Sequence, residues 1–126
     1  LRAVHSWEAS RKNTWNIPAT EKQKRERPPV SHPIIRTHPA TGRKSLYIGM
    51  HTSHIEGISE IEGKNLLDKL LEAATTSKSI YRHKWQSGDL VLWDNRCLLH
   101  RGDKNFRMDR HRRILHRTVV KGTVPF

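Results

Sequence analysis

From residue 32 onward the chain alternates short β-type runs with turn residues, and this pattern limits the possible folds more than any other feature. Two runs, at residues 32–38 and 45–49, flank the turn at 39–42, which predicts a β-hairpin. Further runs of the same type lie at 80–85, 90–93, 97–100 and 114–120. Strands at such short intervals favour a jelly-roll or a related antiparallel sandwich.

One helix interrupts the predicted strands. Ser59 and Glu62 have the spacing of a capping box, a pair of side chains that bonds the free amides of the first helical turn. The apolar residues that follow recur at helical spacing and are Leu66, Leu67, Leu70, Leu71 and Ala74. The sequence therefore predicts a helix over about residues 59–75. The predicted fold is mainly β with one helix.

Residues 1–31 differ in character from the rest of the chain. They are polar, and a charged run that starts at Glu21 ends in Pro28 and Pro29. Such a run is more typical of a solvated, mobile loop than of a nucleic-acid-binding arm. The predicted organisation is a polar loop or lid segment over 1–31, followed by a folded region over 32–126.

The chain is strongly basic, with 24 Lys and Arg residues against 12 Asp and Glu residues and a net charge of +12. This charge favours anionic partners, and it also fits a piece of a longer protein whose other part is acidic. The basic residues are scattered, and the aromatic residues do not alternate with them as a nucleic-acid stacking platform needs. A basic nucleic-acid-binding module is therefore the disfavoured alternative.

The cysteine content and the absence of long apolar stretches indicate the cellular setting. Cys97 is the only cysteine, so no internal disulfide can form and a reducing, cytoplasmic location is expected. No apolar stretch reaches the length of a membrane span, so no membrane partner is expected. Because the chain is short for an enzyme and starts at Leu1, we expect it to be part of a longer protein.

The segment from Asp89 to Arg117 holds the residues best suited to chemistry. His100 ends an apolar run, where a side chain can face the mouth of a cavity as a metal ligand or can be a structural histidine. Arg113 and Arg117 would share one face of a strand, about 13 Å apart, and could bind two carboxylates. The alternative is a solvated basic face, and a shift of one residue in register would turn Arg112 inward instead of Arg113.

These residues resemble a known family. Residues 88–100, with the motif Trp93-Asp94-Asn95-Arg96 inside them, and residues 113–117 are similar to the C-terminal signature of the taurine dioxygenase and 2,4-dichlorophenoxyacetate dioxygenase (TauD/TfdA) family of Fe(II)/2-oxoglutarate-dependent dioxygenases. Residues 32–47 resemble the strand, turn and Gly-Arg-Lys strand of the same family, most closely its herbicide-degrading branch. The resemblance implies a double-stranded β-helix, which is a cupin-like jelly-roll, with 32–126 as the C-terminal part of the dioxygenase domain.

The resemblance also implies roles for four residues. His100 is similar to the distal histidine ligand of Fe(II), and Arg113 to the arginine that binds the distal carboxylate of 2-oxoglutarate. Arg117 resembles the arginine associated with the acidic group of the primary substrate, and His51 a histidine that lies near substrate. The implied cofactors are Fe(II), 2-oxoglutarate and O2, and the implied substrate is a small aryloxyalkanoate or sulfonate. No catalytic residue is assigned, and a homo-oligomer is expected.

Two of the three iron ligands of the family are missing from this chain. The family supplies them from a His-x-Asp motif well upstream of the distal histidine, and this chain contains no His-x-Asp, so we expect the motif before Leu1. The nearest internal alternative is His54-Ile-Glu56, which we expect in a loop rather than on the rigid strand that a metal ligand needs. The 126 residues alone are expected to show little or no turnover, and a non-catalytic homologue of the same fold is the remaining alternative.

Overall fold

The computed structural model describes residues 1–15, 17–103, 107 and 109–122. The elements in chain order are β1 (Arg2–His5), α1 (Trp7–Trp15), α2 (Glu21–Glu26), β2 (Val30–Pro33), β3 (Ile35–Thr37), β4 (Lys44–Leu46), β5 (Thr52–Ile55), α3 (Glu60–Ala74) and a 3₁₀ turn (Ser77–Ser79). The first 79 residues therefore carry all the regular structure of the described part of the chain.

The strands form two small antiparallel sheets. The first has the order β2-β1-β5, in which Ala3 of the central strand pairs with His32 on one side and Ile55 on the other. A bulge between Val4 and His5 shifts the register of β1 against β5. The second sheet is the pair β3–β4. The strands of the described residues do not close into a barrel.

The predicted hairpin is confirmed with one correction. Residues 39–42 form the turn between β3 and β4, and Gly42 takes a positive φ of 68°, which glycine adopts without steric cost. The single strand expected over 32–38 is divided at Ile34. The amide of Ile34 donates to the carbonyl of Leu1, while its carbonyl accepts from Tyr47, so one continuous run serves both sheets.

The predicted helix is confirmed as α3. The Ser59 hydroxyl accepts the Glu62 amide at 3.3 Å and donates to the Glu62 carboxylate at 2.7 Å, so the expected capping pair closes the first turn. The core that α3 helps to cover consists of Ala3, Ile34, Ile48 and Ile55. Leu66, Leu67 and Leu70 of the helix pack against it, whereas Leu71 is exposed. Apolar burial of this kind is the main stabilising contribution in a small domain.

The expectation of a loop over residues 1–31, and of one helix in the chain, is corrected by the structure. This segment contains β1 and two further helices, and β1 is the central strand of the larger sheet. Local caps stabilise the helices: the Ser6 hydroxyl accepts the Ala9 amide at 2.9 Å, and Thr20 with Gln23 forms a capping box before α2. None of the helices in the described ranges has the length and apolar character needed to cross a membrane.

The four β-type runs expected after residue 79 are also corrected. Between residues 80 and 122 the described backbone makes turn bonds, such as Asp89 to Gln86 at 3.2 Å, and no strand ladder. The physical reason is that a strand needs a partner for its amides and carbonyls, and the described residues offer none to this segment. Leu90 and Leu92 are each 95% exposed, so their apolar face is likewise uncovered.

Ile55 is expected to be the most costly side chain of this core to truncate, since it is the largest side chain that is fully buried in the described part of the chain. The substitution Ile55→Ala should lower the free energy of unfolding by about 2–5 kcal/mol, measured by urea denaturation. Ile61, which is 76% exposed on α3, provides the matched control, and Ile61→Ala should change stability by less than about 0.5 kcal/mol. Equal losses in the two variants would contradict the assigned core.

Candidate functional site

His51 lies in the turn that leads into β5, and local bonds fix this turn. The Thr52 amide donates to the Gly49 carbonyl at 2.9 Å, and the Gly49 amide donates to the Thr52 hydroxyl at 3.1 Å. The His51 carbonyl accepts the Ser6 amide at 2.8 Å, which places His51 beside the start of α1. There its ring stacks on Trp7, with 6.1 Å between the ring centroids.

The His51 and Trp7 rings form part of the wall of a cavity of about 280 Å³. The opposite wall is a cluster of rings, in which His5 stacks on Tyr47 at 4.9 Å and His32 lies 5.4 Å from Tyr47. Arg27 covers Trp7 with its guanidinium carbon 4.4 Å from the ring. The cavity is therefore aromatic, carries one permanent positive charge, and is close in size to the lower end of small-molecule sites.

Burial changes the chemistry of the histidines in this cavity. It lowers the pKa of His5 from 6.5 to about 4, and positive charge on His32 and His51 adds to the effect. Burial also lowers the pKa values of His32 and His51, although His51 keeps a substantial exposed surface. At pH 7 these rings are consequently neutral and offer both an N–H donor and a nitrogen acceptor. The Nε2 atom of His5 and the Nε1–H of Trp7 are buried and find no hydrogen-bond partner among the described residues.

The stability of the protein is expected to decrease as the pH falls from 6.5 towards 4. In this window the unfolded state binds more protons than the folded state, because the folded pKa of His5 lies below 6.5. The variant His5→Phe, which keeps a ring beside Tyr47, should show a shallower dependence of the free energy of unfolding on pH. Replacing the exposed His116 by phenylalanine is the control and should leave the slope unchanged. An unchanged slope in His5→Phe would contradict the assignment.

His100 follows a tight turn that begins at Trp93. The Asp94 carbonyl accepts the amides of Cys97 and Leu98, and the Trp93 indole donates to Asn95 at 2.7 Å. Asp94 and Asn95 thus fix this turn by local hydrogen bonds, since the Asp94 carboxylate also accepts the Arg96 amide at 2.8 Å. His100 itself is exposed, with its ring centroid 5.0 Å from that of Trp93.

Arg113 and Arg117 lie in the part of the chain beyond this turn, and both are exposed. The Arg113 guanidinium reaches back toward His100, because its Nη1 atom lies 3.7 Å from the position that a Cβ would occupy on Gly102. The structure thus brings Arg113 close to the residues that follow His100. Residues 109–122, which the structure describes, form no strand, so the shared face of Arg113 and Arg117, and the choice between Arg113 and Arg112, stay predictions.

The internal alternative for the missing ligands, His54 and Glu56, is placed differently from the expectation. His54 lies on β5, paired with Val4, and not in a loop. Its ring bonds the Ser53 hydroxyl, while Glu56 lies 3.9 Å from Arg2. Within the described part of the chain, the residues close enough to share a metal ion are His38, Asp94 and Cys97. Neither His100 nor the pair His54 and Glu56 belongs to this group.

Sequence reasoning missed His38, which is 8% exposed and bonds the Asp94 carboxylate with its Nε2 atom at 3.0 Å. Its Nδ1 atom accepts the amides of Ala40 and Thr41 at 3.3 and 3.2 Å, so the ring proton is on Nε2 and points at Asp94. The Arg96 guanidinium donates to the same carboxylate at 2.7 Å. A metal ion at this group would have to displace the proton on His38 Nε2 and compete with the Arg96 guanidinium for the Asp94 carboxylate. The group is therefore better explained as a structural contact.

The sequence of this chain is similar to those of known proteins. A model of the family described as "Taurine catabolism dioxygenase TauD, TfdA family" matches residues 1–119, including the segment 1–31. The chain is 55% identical over 102 residues to the alpha-ketoglutarate-dependent 2,4-dichlorophenoxyacetate dioxygenase of Burkholderia sp. (strain RASC), covering 81% of this chain and 34% of that protein. It is 44% identical over 124 residues to the protein of the same name from Cupriavidus pinatubonensis, covering 98% of this chain and 43% of that protein.

The fold of this chain is similar to that of a solved structure. The crystal structure of AAD-2 in complex with Mn(II) and N-oxalylglycine superposes with a TM-score of 0.63 and 38% identity, over 68% of this chain and 34% of that chain. The chain therefore spans less than half the length of the relatives that it matches. These comparisons give no support to the nucleic-acid-binding alternative.

Proposed function

Because the chain belongs to the TauD/TfdA family of taurine catabolism dioxygenases, we propose that the protein containing it is an Fe(II)- and 2-oxoglutarate-dependent dioxygenase. In this reaction one oxygen atom of O2 enters a substrate C–H bond and the other enters succinate, as 2-oxoglutarate loses CO2. Bound Fe(II) is the group that supplies the activation of O2. The proposed substrate is a small anion of the aryloxyalkanoate or sulfonate type.

The residues of this chain fit the iron site in part. His100 offers an exposed imidazole, which is a suitable ligand for Fe(II), and among the described residues it belongs to no group of three or more possible ligands. We propose that the other two ligands are a His-x-Asp pair in the part of the whole protein that this chain does not span. His100 would then bind the metal from the C-terminal side of the site.

The two arginines are proposed to hold the two anions. The Arg113 guanidinium lies near Gly102, two residues beyond His100, which suits an arginine that binds the distal carboxylate of 2-oxoglutarate. Arg117, four residues further along the chain, is proposed for the acidic group of the primary substrate. A planar guanidinium is preferred at both positions because it can make two parallel bonds to one carboxylate.

The observation that carries the substrate class is the aromatic cavity beside His51. Its rings can stack on an aryl group, and the neutral His51 ring can donate a hydrogen bond to a carboxylate or sulfonate at its edge. We therefore propose that His51 contacts the substrate. Residues 1–31 contribute Trp7 and Arg27 to the wall, which supports a part for this segment in forming the cavity.

The complete fold is proposed to be a double-stranded β-helix, with residues 32–126 as the C-terminal part of its dioxygenase domain. The exposed apolar side chains of Leu90 and Leu92 support this proposal, because residues two apart on a strand share one face, and that face would be covered in the complete sandwich. A cytoplasmic location and a homo-oligomeric state complete the proposal.

The proposed function is tested with the whole protein that contains this chain, loaded with Fe(II) under exclusion of oxygen. Succinate is measured after addition of 2-oxoglutarate, O2 and a panel of aryloxyacetates, aryloxypropionates, taurine and alkyl sulfonates. We expect succinate to form in proportion to hydroxylated product with at least one aryloxyalkanoate. Formation of no succinate with any member of the panel would overturn the proposal.

A further inference from the structure

Three side chains join the β3–β4 hairpin to the turn that precedes His100, and we call His38, Asp94 and Arg96 the latch. His38 follows β3, whereas Asp94 and Arg96 lie more than fifty positions further along the chain. The His38 ring donates to the Asp94 carboxylate at 3.0 Å, and the Nη2 atom of Arg96 donates to the same carboxylate at 2.7 Å. One carboxylate therefore connects two distant parts of the sequence.

The hairpin side of the latch is rigid. His38 is 8% exposed, and two backbone amides of the turn at Ala40 and Thr41 hold its Nδ1 atom. These bonds fix both the orientation of the ring and the position of its proton. The Nε2–H donor that points at Asp94 is thus held in place by backbone hydrogen bonds, and it does not belong to a flexible surface side chain.

The turn side of the latch is held equally well. The Asp94 carboxylate accepts the Arg96 amide at 2.8 Å and the Arg96 Nε–H at 2.9 Å, and these bonds with His38 keep the pKa of Asp94 well below its usual range. The Ser45 hydroxyl on β4 donates to the Arg96 carbonyl at 3.1 Å, which adds a second link to the hairpin.

The latched turn leads directly to the candidate iron ligand. The Leu98 amide donates to the Asp94 carbonyl at 3.1 Å, and the Leu99 side chain lies over Gly49, with its Cδ2 atom 3.6 Å from the position that a Cβ would occupy there. His100 is the next residue. The latch, the turn and this contact therefore leave the backbone before His100 little freedom relative to the hairpin.

We propose that the latch is a positioning device that fixes His100 for metal binding through the turn at residues 94–98, with none of its own side chains touching the metal. The metal role of His100 rests on the proposed function, whereas the contacts of the latch do not. A preorganised ligand binds metal more tightly because less conformational entropy is lost on binding.

The test measures two properties of the whole protein that contains this chain. The first is the dissociation constant for Fe(II) in the presence of 2-oxoglutarate, obtained anaerobically from the absorption of the chelate. The second is hydrogen exchange at the Leu98 and Leu99 amides of the metal-free protein. For His38→Ala we expect the Fe(II) dissociation constant to rise by about ten-fold or more, with faster exchange at both amides. His38→Gln, which keeps an N–H for Asp94, should restore most of the affinity.

Two further variants keep the test decisive. Asp94→Asn changes a partly exposed side chain, so it tests the latch even if the buried His38→Ala variant fails to fold. It should likewise weaken Fe(II) binding and speed exchange. His83→Ala is the matched control, because His83 makes a similar 2.9 Å bond to Asp89 outside the latch, and it should change neither property.

The outcomes distinguish a failure of the latch proposal from a failure of the proposed function. Wild-type Fe(II) affinity and wild-type exchange in both His38→Ala and Asp94→Asn would overturn the latch. Faster exchange in these variants, combined with no Fe(II) binding by the wild-type protein, would support the latch as a constraint on the turn and overturn the metal role of His100.

Discussion

Replacing His100 with alanine is expected to abolish turnover and to weaken Fe(II) binding more than any other single change in this chain. A change in a residue that only supports a ligand costs about 10- to 100-fold in metal affinity, so loss of the ligand itself should cost at least about 100-fold. The affinity is measured by anaerobic titration of the whole protein with Fe(II), and turnover by succinate formation.

His116 provides the control for this prediction. It is another exposed histidine of the C-terminal segment, and His116→Ala should leave both Fe(II) affinity and turnover close to wild type. A similar loss in the two variants would indicate a general effect of removing positive charge or imidazole. Full Fe(II) affinity in His100→Ala would exclude His100 as a ligand and would direct attention back to His54 and Glu56.

The second large effect is expected at Arg113. Truncation of one partner in a hydrogen-bonded charge pair costs about 2–5 kcal/mol, so Arg113→Ala should raise the KM for 2-oxoglutarate by roughly 30-fold or more. The KM for the primary substrate should change much less. Arg113→Lys should recover only part of the loss, since an ammonium cannot form the two parallel bonds of a guanidinium. The kinetics of succinate formation at varied 2-oxoglutarate give both constants.

Arg112→Ala tests the register at the same time. Adjacent residues of a strand point to opposite faces, so only one of the two arginines can reach the co-substrate once the segment is paired. If Arg113 is the ligand, Arg112→Ala should leave the KM for 2-oxoglutarate near the wild-type value. A large rise in Arg112→Ala with little change in Arg113→Ala would reverse the assignment.

Local patterns predicted the parts of the fold that local interactions stabilise. The helix α3 was predictable because Ser59 and Glu62 cap it and its leucines recur at helical spacing. The hairpin β3–β4 was predictable because residues 39–42 favour a turn. The helix α2 was missed, although Thr20 and Gln23 form the same kind of capping box, because the charged run around them was interpreted as a solvated loop.

The features that the sequence did not predict depend on bonding partners that lie far away in the sequence. Nothing in the residues of β1 reveals that it lies between β2 and β5, and His38 gives no sign of the Asp94 carboxylate it bonds. The β-type runs after residue 79 carry the apolar residues of strands, but residues alone do not supply a pairing partner. The candidate site residues were identified by resemblance to a family, and their roles await the experiments above.

The order of the larger sheet has a consequence for how the chain folds. Its central strand, β1, precedes both of its partners in the sequence, and Ala3 is paired on its two sides only after His32 and Ile55 have both been synthesised. Contacts between such distant residues require the closure of long loops, which slows folding. During synthesis on the ribosome, β1 therefore emerges before both of its partners, and the side of β1 that faces β5 lacks this partner until Ile55 has followed.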